Sequence, residues 1–139
     1  MRLIIFLFVA LLTCHSYAFN VKKIDVFYVG NKPSSQAVKG AVVGYYDLSS
    51  AKNIQKSLSL KLPNNLKDAT SYMGNFANSN EGQKILKNIV AGYQGVGKSF
   101  SLGVKELPAI VINERYVVYG TTDISVALGV YKKFKGAEK

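Results

Sequence analysis

Gly103-Val-Lys-Glu-Leu-Pro-Ala-Ile-Val-Ile-Asn-Glu-Arg-Tyr-Val-Val-Tyr-Gly-Thr-Thr122 is the most legible segment of the chain. Ala109 to Ile112 and Tyr116 to Tyr119 are short apolar runs rich in β-branched and aromatic residues, and Asn113, Glu114 and Arg115 lie between them. Runs of that length, split by a short polar gap, predict a hairpin of two strands. Pro108 can begin a strand but cannot sit inside one, because it has no N–H for the ladder. A proline at the mouth of a buried strand is also a place for a cis peptide, although most X–Pro bonds are trans.

Working outward, the hairpin is followed by a helix from Asp123 to about Phe134, capped by Thr121 or Thr122, with Ile124, Ala127, Leu128 and Tyr131 as its buried face. Before the hairpin come helices over Ala51–Ser59, Leu66–Asn78 and Glu81–Leu102, with caps at Ser49 or Ser50, at Asn64 or Asn65, and in Asn78-Ser79-Asn80. Leu66, Ala69, Tyr72, Met73, Phe76 and Ala77 form the stripe of the second helix. Ile85, Ile89, Tyr93, Val96 and Phe100 form that of the third. Ile24 to Val29 and Ala41 to Leu48 read as strands, with Gly44 a weak point or bulge. Between them lie a turn-rich break from Gly30 and a helical turn at Gln36–Lys39. The first two strands are joined by a short crossover, hence parallel, and the last two form a hairpin. The fold class is α/β: a mixed four-stranded sheet flanked by helices.

Residues 1–18 read as a secretory signal peptide: basic Arg2, apolar Leu3–Leu12, and a cut after Ser16-Tyr17-Ala18. The apolar run is too short to span a bilayer as a helix. An uncleaved membrane anchor and a lipoprotein signal at Cys14 are the other readings. Cleavage leaves a single domain, residues 19–139, in the periplasm. The only cysteine and the only histidine, Cys14 and His15, leave with the signal. Disulfides, thiol or imidazole catalysis and Cys/His metal sites are thereby excluded from the mature chain.

The chain of 139 residues carries +10, almost all of it lysine, and +9 once Arg2 is gone, with Arg115 the sole remaining arginine. Lysine is a compact hydrated charge, while bidentate phosphate recognition favours arginine. The excess fits a solvated surface or a weak attraction to acidic lipid better than a specific nucleic-acid reader. The acids are scattered: Asp123 suits a first helical turn, Glu114 a turn, and Asp25 a strand position facing an edge or solvent. No enzyme of the paired-carboxylate kind is indicated. Among nine tyrosines, Tyr28, Tyr45, Tyr46, Tyr116 and Tyr119 fall on strands, either lining the core rim or facing a partner.

Gly92-Tyr-Gln-Gly-Val-Gly-Lys-Ser99 fits the phosphate-loop pattern at every position. That loop needs a strand before it and a helix after it. Here the residues before it have helical periodicity, so a glycine-containing helix is the simpler reading. Its three glycines weaken the helix by roughly 1 kcal/mol each and allow close packing.

Ala91-Gly92-Tyr93-Gln94-Gly95-Val96, Gly103-Val104, Leu107-Pro108-Ala109-Ile110-Val111, Tyr116-Val117-Val118-Tyr119-Gly120-Thr121-Thr122-Asp123 and Ala127-Leu128 together carry a resemblance. They resemble the small exported proteins of integrating conjugative elements grouped as domain of unknown function 1525, similar to the TrbC-like components of conjugation type IV secretion systems. The first strand and Tyr46-Asp47-Leu48 match in order, so the likeness spans most of the mature chain. It implies a thioredoxin-like fold with Pro108 at the cis-proline position. It also implies a setting among other conjugative transfer proteins of the cell envelope, and makes the phosphate-loop match accidental. Where a thioredoxin-like active site has C-x-x-C, this chain has Asn31-Lys32-Pro33-Ser34. The implied role is therefore contact without catalysis or cofactor, at Pro108, Tyr116, Tyr119, Gly120 and Asp123. The alternative is a periplasmic peptide- or ligand-binding module with no secretion role.

Overall fold

In the computed structural model the described residues are 20–137; the expected signal peptide, its cleavage site and Cys14 lie outside them. The elements run β1 (Lys23–Tyr28), β2 (Val42–Asp47), α1 (Ser50–Ser59), α2 (Leu66–Asn78), α3 (Asn80–Ser101), β3 (Ala109–Ile112), β4 (Tyr116–Tyr119) and α4 (Ile124–Ala137). The strands form one open mixed sheet in the order β2-β1-β3-β4, with β1 parallel to β2 and the other pairs antiparallel. The hairpin matches the sequence expectation residue for residue. Its turn is closed by the Arg115 N–H on the Ile112 carbonyl, with Asn113 and Glu114 both at positive φ.

Strand alternation sorts the sheet into two faces. Ile24, Val26 and Tyr28 of β1 join Ile110 and Ile112 of β3 on one face, and α4 covers it through Ile124, Ala127 and Tyr131. On the other face Asp25, Phe27 and Tyr46 lie beneath α1 and α3. Helix α2 packs on α3. The α2–α3 corner requires Gly82, since a Cβ there would stand 1.7 Å from the Phe76 carbonyl oxygen.

Several local expectations are corrected. β1 and β2 are each shifted or trimmed by a residue at the ends, and β2 runs through Gly44 in continuous register, without a bulge. Residues 36–39 are not helical. The crossover from β1 to β2 is a loop tied down by Gln36, whose N–H donates to Tyr45 Oη (2.7 Å) and whose Oε1 accepts from the Ile124 N–H (2.6 Å). With no helix to satisfy it, the Gln36 N–H uses a tyrosine hydroxyl, and the Gln36 side-chain amide serves the α4 terminus. Asp123, not a threonine, caps α4: its Oδ1 accepts from the N–H groups of Ser125 and Val126, while Thr121 Oγ1 accepts from the Asp123 N–H. Asn65 and Ser79 cap α2 and α3 as expected, each accepting a backbone N–H. Ser49 sits at the α1 cap but turns its hydroxyl to Asp47 instead.

The α3 stripe is half right. Ile85 and Ile89 turn inward, but Phe100 is 86 % exposed and Tyr93 half-exposed. The face that meets the rest of the protein is Gly92, Gly95 and Ser99. A Cβ on Gly92 would stand 2.9 Å from that of Ala51 in α1, and one on Gly95 would stand 3.3 Å from the Tyr46 ring. Removing side chains there lets the helix backbone approach both layers.

Candidate functional site

Two places gather polar side chains. The first is a cleft of about 480 Å³ where β1 runs out, between the loop of Asn31, Lys32, Pro33 and Ser34 on one side and Leu107, Pro108 and Thr122 on the other. The Leu107–Pro108 peptide is cis. The Pro108 carbonyl accepts the Gly120 N–H (2.8 Å), and Gly120 sits at φ +79, a conformation that favours glycine. Gly120 thus turns the chain from β4 towards α4 while holding the proline. The loop wall is fixed to the α4 terminus by Gln36, whose Nε2 donates to Asp123 Oδ1 (3.1 Å). That bond, with the Ser125 and Val126 N–H groups, holds the Asp123 carboxyl below its ordinary value. Tyr28 lies at the floor, and burial, then the Asp47 charge, push its hydroxyl pKa up. The lining offers hydroxyls, an amide, one ammonium and apolar patches at Val29 and Leu107, and neither thiol nor imidazole. Such a surface can hold a polypeptide or small polar ligand by hydrogen bonds and apolar contact.

The second place lies under α3. Asp25 is 1 % exposed in the middle of the sheet, which overturns the expectation that it faces an edge or solvent. Lys98 reaches down from α3 and donates to Asp25 Oδ1 (2.6 Å) and to Tyr46 Oη (2.7 Å), with its ammonium 4.5 Å from the Tyr46 ring centroid. Asp25 Oδ2 is buried with no partner among the described residues. Burial works against the Lys98 ammonium, but the bonds and charges of Asp25 and Tyr46 outweigh it and its pKa is raised. The phosphate-loop-like segment therefore spends its lysine on a carboxylate. Residues 92–99 are continuous helix, with their N–H groups engaged along the helix axis and not turned towards an anion.

Of the residues singled out from sequence, Pro108 lines the first cleft, and Gly120 and Asp123 support it from behind. Tyr116 is elsewhere: its ring packs at a tilt against Tyr131 (4.9 Å) and Phe134 (5.9 Å) on the α4 face. Tyr119 is 41 % exposed and its hydroxyl reaches the Gly103–Lys105 loop, accepting from the Lys105 N–H (3.3 Å). The strand tyrosines are mainly buried or half-buried, so rim of the core describes most of them better than a shared outward face. Gln36, Asp25 and Lys98 were missed. A lone aspartate inside an apolar strand was the available signal, because a buried carboxylate demands a cation. Among the described residues no cluster of His, Cys, Asp or Glu could hold a metal, and no helix is long and apolar enough to cross a membrane.

A family model described as "Protein of unknown function (DUF1525)" matches residues 21–137. No curated protein and no solved structure matches the chain.

Proposed function

The chain belongs to the DUF1525 family, and on that premise we propose that it is a non-catalytic exported component of a conjugative transfer, type IV secretion, apparatus, working by protein–protein contact. The observation that carries the reading is the cleft at cis-Pro108, faced by Asn31-Lys32-Pro33-Ser34 where a redox pair would stand in a thioredoxin-like protein. The sheet order, with β1 parallel to β2 and β3 opening on a cis-proline, supports the thioredoxin-like relationship. The conjugative setting rests on the resemblance described above, and the periplasmic location on the sequence of residues 1–18. Beyond residue 18 the chain has neither thiol nor imidazole, and in this reading the cleft holds other molecules without transforming them.

Pull-down from a cell envelope carrying the transfer genes tests this. Recovery of other transfer proteins is expected. Recovery of none, with normal transfer after deletion, contradicts it. The same cleft serves the second reading, a peptide- or ligand-binding module outside secretion. Unchanged conjugation after deletion, together with a ligand that raises the melting temperature, favours that one.

A further inference from the structure

Strand β2 forms one edge of the sheet, and among the described residues its only strand partner is β1. The Val42 N–H donates to the Lys22 carbonyl and the Leu48 N–H to the Tyr28 carbonyl, which fixes the phase of the ladder. Val43 and Tyr45 therefore turn their N–H and C=O groups outward. Natural edge strands are guarded by lysine, proline or a bulge. Val42-Val-Gly-Tyr-Tyr-Asp47 has neither of those residues, and its register is unbroken. A cleft of about 690 Å³ runs beside it, walled by Tyr45 and Tyr46 on the strand and by Gln94 and Lys98 on α3.

Charge says what kind of strand fits. Tyr45 and Tyr46 point to opposite faces, and each carries an ammonium over its ring: Lys32 at 5.3 Å from the Tyr45 centroid and Lys98 at 4.5 Å from that of Tyr46. The Lys98 charge is balanced by Asp25, so the net positive charge beside the open edge is that of Lys32, on the Tyr45 face. Lys98 has spent two of its three N–H donors on Asp25 and Tyr46, leaving one. Asp47 is the acidic group at the end of the strand, and its Oδ1 is occupied by the Gly30 and Ser49 N–H groups. We propose that the β2 edge is a strand-addition site for an extended, acidic segment of a partner protein, with its carboxylates at the level of Tyr45 and Tyr46. Backbone pairing to Val43 and Tyr45 supplies the register, and the Lys32 charge, with the one remaining N–H donor of Lys98, supplies the choice of acidic side chains. A second copy of this chain fits less well, since each processed copy brings +9 to the contact.

The probe is a labelled eight-residue peptide alternating valine and glutamate, with a valine–lysine peptide as its charge-reversed control. Fluorescence polarisation at low salt reads binding to the full chain, and amide hydrogen exchange locates it. The acidic peptide is expected to bind and to slow exchange at Val43 and Tyr45. Lys32→Glu should weaken it about fivefold, and Lys133→Glu on α4 should not. Absence of binding overturns the proposal, as do equal binding of the lysine peptide, protection at Tyr116–Tyr119 in place of β2, and protection of β2 by self-association without peptide. Any of these failures leaves the Pro108 cleft untouched, because Val43 and Tyr45 do not line it. Lys32 does line it, so weakening by Lys32→Glu supports the β2 edge only together with slowed exchange at Val43 and Tyr45, and slowed exchange confined to the Pro108 cleft overturns the proposal.

Discussion

Asp25 sits at the centre of the sheet, and Lys98 is what makes a carboxylate tolerable there. Removing the partner leaves a buried charge unpaired, so Lys98→Met should cost about 3 kcal/mol in urea denaturation. The double variant Asp25→Leu with Lys98→Met should recover most of that loss. The pair also sets an alkaline limit. A lysine whose folded pKa is raised contributes fully below its ordinary 10.5 and loses that contribution as pH climbs through the raised value. Tyr28, raised above 10.0, acts in the same direction. Melting temperature should therefore fall as pH rises above about 10, and fall less steeply in Lys98→Met. A flat wild-type profile would contradict this. In one dimension only the lone aspartate in an apolar strand hints at a buried cation partner; nothing in spacing joins residues 73 apart.

Helix α3 carries the clearest lesson at the scale of elements. The existence and ends of nearly every helix and strand followed from periodicity and capping residues. The buried side of α3 did not, because an apolar stripe marks where greasy residues lie, whereas this helix docks through the positions that lack side chains. Two glycine substitutions separate the effects. Gly92→Ala drives a methyl into Ser50 and Ala51, so it should destabilise by about 2 kcal/mol despite the better helix former. Gly97 faces open space, so Gly97→Ala should stabilise by up to about 1 kcal/mol. Thermal melts of the two variants check the signs. If both stabilise, the close approach of α3 is wrong. Gln36 is the other element-scale surprise, an anchor hidden in a stretch that looked like a helical turn.

For the whole molecule, a four-stranded mixed sheet with helices on both faces was readable from element order and from one hairpin. The position of the cleft followed from Pro108. Its opposite wall did not, because the loop of residues 29–41 is placed by long-range bonds from Gln36 to Tyr45 and to the α4 terminus. The molecule has a strong excess of lysine, a cleft lined by neither thiol nor imidazole, and an open sheet edge. These are the features that the proposed contact function would use. The most direct measurement is conjugation frequency in a strain whose chromosomal copy carries Ser34→Trp, a substitution that fills the cleft from its exposed loop wall. The account predicts that transfer drops towards the level of a deletion strain while the variant is exported and folded normally. Wild-type transfer in both the Ser34→Trp and the deletion strains would contradict it.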